Sequence, residues 1–153
     1  MKILKAIVTV LYFGLVGYIV FFTAQRQVFK FTDARSLLNV VPIINKISEF
    51  QKLKSADHKE MMNYAFNLFG NIVLFIPYSL IMVFVFNIKK ESIVILTALL
   101  LSVLIETLQF ILELGVADID DVLLNISGAF IGWAIAKQII RKEKGKVSVL
   151  NFL

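Results

Sequence analysis

Four apolar runs, at positions 3–22, 61–86, 92–114 and 122–140, decide what this chain can fold into. At 1.5 Å per residue each is long enough to cross roughly 30 Å of hydrocarbon. Lipid offers no hydrogen bonds, so each run must satisfy its own backbone, and runs of this length do so only as helices. The sequence therefore predicts an all-α membrane protein, a bundle of about four transmembrane helices formed by one domain over positions 1–153. Composition agrees, with 59% hydrophobic residues and a mean hydropathy of +0.84, well above a soluble domain. The net charge of +5 comes from Lys and Arg that flank the runs, as topology signals do. A nucleic-acid binder would gather them on one exposed face. Cysteine is absent, which excludes disulfides and thiolate metal sites.

The first run follows Lys2 and Lys5 as a signal peptide would. Its core is too long for that and no A-x-A site follows, so a retained helix is expected. With four spans, nine Lys and Arg in short segments share one side, and seven occupy the long loop on the other. Short segments carry the positive-inside signal, so the termini are expected in the cytoplasm and the acidic loop at 115–121 outside. Within the long loop, Ile43, Ile44, Ile47, Phe50 and Leu53 recur at helical spacing between charged residues. They fit an amphipathic helix at the membrane interface, or one packed over the bundle. Asn39 and Pro42 stand where such a helix would begin. His58, a lone histidine in a polar stretch, is assigned nothing.

Several polar residues fall inside the apolar runs. Asn63, Asn67 and Asn71 follow i, i+4, i+8 and form one stripe. Counting from the outer surface, Asn67 lies about 9 Å and Asn71 about 15 Å deep, Glu106 about 12 Å and Gln109 about 7 Å, and Asn125 about 6 Å. Asp121, Asn125, Gly128 and Gly132 share a face of the fourth run. These groups converge on the outer half of the bundle as a polar pocket of Asn67, Asn71, Glu106, Gln109, Asp118, Asp120, Asp121 and Asn125. Asparagines between helices also serve as glue, worth roughly 0.6 kcal/mol each. A carboxyl is a poor choice of glue, because a charge near the membrane centre costs about 2.5 to 3.5 kcal/mol, and Glu106 points to function.

The aspartates of "DIDD" (118–121) have two readings. Acids ahead of a helix cap its N–H groups and suit the positive end of its dipole. Three in four residues also match the oxygen ligands of a hard divalent cation such as Mg²⁺ or Ca²⁺, at Asp118, Asp120 and Asp121. "GAFIG" fits the small-xxx-small pattern of close helix packing, through Gly128 and Gly132. Pro77 is expected to kink the second span and loosen its inner half.

Taken in order, "SLLNVVP" (36–42), "FNLFGNIVLFIPYSL" (66–80), "SVLIETLQF" (102–110) and "DIDDVLLNISGAFIG" (118–132) resemble the successive motifs of the VanZ-like family. The resemblance covers roughly positions 35 to 135. It carries over Asn39, Pro42, Asn67, Gly70, Asn71, Pro77, Glu106, Gln109, Asp118, Asp120, Asp121, Asn125, Gly128 and Gly132 as family-pattern residues. Ser79 departs from the family's usual glycine, and Val116-Ala117 from its frequent Arg-Ser pair. The resemblance implies a multi-spanning envelope protein that lowers binding of teicoplanin-type lipoglycopeptides at the cell surface. Its expected partners are the lipid bilayer and either a lipid-linked envelope component or the lipoglycopeptide itself. No nucleophile sits beside a base and no phosphate-binding loop is visible, so the balance is against an enzyme. Two alternatives stay open: a metal-assisted enzyme acting on a lipid headgroup, with the aspartates as ligands and Glu106 as base, and a small-solute or proton-coupled carrier, for which a homo-oligomer would supply the missing symmetry.

Overall fold

Each apolar run becomes a helix, as its need to satisfy its own backbone requires. The computed structural model describes residues 2–20, 38–39, 58–112, 114 and 117–150. In chain order these form α1 (Lys2–Tyr18), β1 (Leu38–Asn39), α2 (His58–Phe84), α3 (Glu91–Ile111), β2 (Ala117–Asp118) and α4 (Ile119–Leu150). Among the described residues, three stretches, Tyr64–Phe84, Glu91–Ile111 and Ile119–Glu143, are long and apolar enough to cross a membrane. The first run is helical over the 17 residues of α1, and positions 21–22 lie outside the described residues. So do Pro42 and the amphipathic stretch at 43–53.

Asn39 is extended in β1, which pairs in parallel with β2 so that Leu38 lies opposite Ala117 and Asn39 opposite Asp118. The pairing gives both segments ladder partners for backbone groups next to an apolar bundle, where unpaired ones are costly.

The centre of the bundle is the α2–α4 contact. A Cβ added to Gly128 would stand 2.2 Å from the Ile72 carbonyl oxygen, and one added to Gly132 would stand 2.3 Å from that of Ile76. Only glycine permits backbones this close. A four-residue advance on α4 matches a four-residue advance on α2, so the two helices run parallel. The α3 helix runs antiparallel to α4, since Ser102 meets Asn125 and Glu106 meets Asp118. Fully buried Phe75, Val94, Ala98, Ala129 and Ala136 fill the space between. Pro77 is exposed, and α2 is helical on both sides of it. The α2–α3 turn passes through Asn87 at φ 60°, a left-handed conformation that asparagine adopts more readily than most residues.

Both ends of the bundle are tied by side chains. At one end Lys5 Nζ donates to the Val85 carbonyl at 3.2 Å, and Trp133 Nε1 donates to the Lys89 carbonyl at 3.1 Å. At the other, Gln109 Nε2 donates to the Val20 carbonyl at 3.3 Å. The N-terminal part of α1, the α2–α3 turn and the second half of α4 thus share an end, with Glu106 and the acidic segment at the opposite one.

Candidate functional site

Four polar side chains of α3 and α4 are buried toward the acidic end. Ser102 is 0% exposed, Asn125 3%, Asp120 4% and Glu106 8%. Ser102 and Glu106 are one turn apart on α3 and therefore share its inner face. The Asn125 Nδ2 donates to Ser102 Oγ at 2.8 Å. One turn along α3, Glu106 Oε2 accepts the backbone N–H of Asp118 at 3.0 Å. The carboxylate thus fixes the entry of α4 and, through the β1–β2 pair, reaches the segment that holds Asn39.

Asp118 stands immediately before α4, and its Oδ1 accepts the Asp120 N–H at 2.9 Å. This is a helix cap, so the start-signal reading of "DIDD" has a concrete basis. Asp120 and Asp121 occupy the first turn of α4, where negative charge suits the helix dipole. Among the described residues no group of three or more His, Asp or Glu side chains is placed to hold a metal ion. Asp118, Asp120 and Asp121 do not gather as such a group, and one Asp118 oxygen turns back to its own helix. Asp118→Ala is expected to lower stability by about 1 kcal/mol through loss of the cap, with Asp118→Asn close to wild type. Thermal unfolding in detergent checks this, and an equal loss in both variants would show that charge rather than capping matters.

The expected pocket residues separate into groups. Asn125 meets Ser102, Glu106 meets the Asp118 backbone, and Asp118 meets the Asp120 backbone. Gln109 instead spends its amide on the Val20 carbonyl, one of the orphan acceptors at the end of α1. Asp121 is only partly buried, and Asp120 is the deeper acid. Asn71 is partly buried on α2. Asn63 and Asn67 are placed by their backbone in α2.

The site also holds what the sequence pattern did not reveal. Ser102, hidden among leucines, is the partner of Asn125, and its i, i+4 spacing to Glu106 is the signal that could have exposed it. Asn125 Oδ1 is buried and has no hydrogen-bond partner among the described residues. A buried acceptor left unmade costs about 1 to 3 kcal/mol. Chemically, the arrangement offers an amide oxygen one or two turns below a buried carboxylate, which suits a ligand that donates hydrogen bonds.

The family model described as VanZ/LLP1 matches residues 9–141, from the middle of α1 through the whole α3–α4 site. The chain belongs to the VanZ/LLP1 family. No curated protein and no solved structure matches it. Ser79 has a visible use at the α2–α4 contact. Its hydroxyl, fully buried, donates to the Ala129 carbonyl at 2.6 Å. The serine adds a polar clasp beside Gly132 at the α2–α4 contact.

Proposed function

We propose that this VanZ-like protein lowers the binding of teicoplanin-type lipoglycopeptides at the cell surface, by holding a lipid-linked envelope component, or the drug, at an outward-facing polar site. The observation that carries the reading is the buried Glu106 carboxyl next to the Ser102–Asn125 pair, in helices otherwise made for lipid. Ionisable groups at membrane depth are expensive and are kept where they act. The orphan amide oxygen of Asn125 gives a ligand hydroxyl or N–H a place to bind. Lys5, Lys89 and Lys137 lie toward the opposite end, which supports termini in the cytoplasm and the loop at 115–121 outside.

The test is surface labelling of cells by a fluorescent teicoplanin analogue at matched protein levels. Wild type is expected to lower labelling relative to empty vector, and Glu106→Gln to restore it. Glutamine keeps an oxygen to accept the Asp118 N–H, so the variant removes charge while leaving the tie. Unchanged labelling by wild type would end the resistance reading for this chain, and continued protection by Glu106→Gln would remove the carboxylate from it.

A further inference from the structure

At the basic end, Trp133, Lys137 and Arg141 follow i, i+4, i+8 on α4 and form one stripe. The Trp133 indole N–H holds the α2–α3 turn through the Lys89 carbonyl. Lys137 Nζ lies 4.6 Å from the centroid of the Trp133 ring. A ring face attracts an ammonium but does not neutralise it. The ring therefore holds the Lys137 ammonium in a defined place, where an anion can still approach it. Lys89 and Lys90 project from the pinned turn, both exposed, as are Lys137 and Arg141. Lys5 approaches the same turn through its bond to the Val85 carbonyl. The acids of this end among the described residues, Glu91 and Glu143, are exposed and outnumbered.

The turn joins two membrane-spanning helices that end at Phe84 and begin at Glu91, so it lies at the depth of lipid headgroups, where tryptophan is also favoured. We propose that Trp133, Lys137 and the Lys89–Lys90 turn form a seat for the phosphate group of an anionic membrane lipid in the leaflet at that end. Anionic headgroups attract lysines near the surface strongly enough to shift binding about fivefold per residue. Free phosphate shares the chemistry. The lysines are exposed rather than arranged as a buried cage, and this favours a phosphate that the bilayer already delivers at high local concentration.

Trp133 is the chain's single tryptophan, so its emission reports this place alone. The experiment is fluorescence quenching of the full-length protein in phosphatidylcholine vesicles that contain brominated phosphatidylglycerol or brominated phosphatidylcholine. Wild type is expected to prefer the anionic quencher by about an order of magnitude. Lys89→Gln and Lys137→Gln should each cut that preference about fivefold, and Lys137→Arg should keep it. Lys89→Gln leaves the carbonyl that accepts the indole N–H in place, which separates headgroup binding from loss of structure. Equal quenching by the two lipids, or a preference that survives both lysine substitutions, would overturn the proposal. Abolition by millimolar inorganic phosphate would assign the seat to free phosphate and overturn the lipid.

Discussion

Gly128→Ala is expected to lower the stability of the bundle by about 2 to 3 kcal/mol, at the upper range for overpacking a close contact. The added methyl would lie 2.2 Å from the Ile72 oxygen and 2.9 Å from its carbonyl carbon. Both are backbone atoms, so no side chain can swing aside, and α2 and α4 must separate. Separation would loosen the Ser79–Ala129 clasp and reduce contact along a helix pair that association in lipid stabilises chiefly by close packing. Gly132→Ala, 2.3 Å from the Ile76 oxygen, should act the same way. Gly70→Ala is the control, because nothing lies within 4 Å of its added methyl. Unfolding followed by circular dichroism during denaturing-detergent titration measures all three. A Gly128→Ala transition coincident with that of Gly70→Ala would mean that the helices do not touch through backbone.

The second large effect is on function and runs against stability. The double variant Ser102→Ala, Asn125→Leu is expected to fold at least as well as wild type, within about 1 kcal/mol, while losing all lipoglycopeptide protection. Its hydrogen bond is worth little in a membrane, roughly 0.6 kcal/mol on average. Against that stands the buried Asn125 oxygen, whose missing partner costs about 1 to 3 kcal/mol. Replacing both partners with apolar groups removes the bond and the orphan together. Titration unfolding and surface labelling are read on the same protein. If stability collapses, the pair is glue, and if protection survives, the ligand does not use the Asn125 oxygen.

The helices were legible because lipid leaves a long apolar run no other fold, and the expected limits at 92 and 122 fall within three residues of Glu91 and Ile119. The small-residue contact at Gly128 and Gly132 was legible too, since spacing alone puts both glycines on one face. The polar site was read in part. Glu106 and Asn125 announced themselves by their cost, whereas Ser102 did not, because a hydroxyl can satisfy itself on its own helix and so passes among leucines. The partner of Gln109 was not legible, because its i, i+3 relation to Glu106 fixes a side of the helix but not which neighbour waits there. The β1–β2 pair left no signal, as two residues are too few for any periodicity.

The first helix has a different standing from the others. Lys5, Tyr12 and the Val20 carbonyl fasten α1 near its two ends and its middle, to the carbonyl of Val85, the carbonyl of Leu74 and the amide of Gln109. All three fasteners belong to segments that leave the ribosome after it. During synthesis α1 must wait as a lone rod among lipids, and its seat is complete only when position 109 has entered the membrane. Among the described helices, α1 is therefore fully fastened only after the two that follow it have been made.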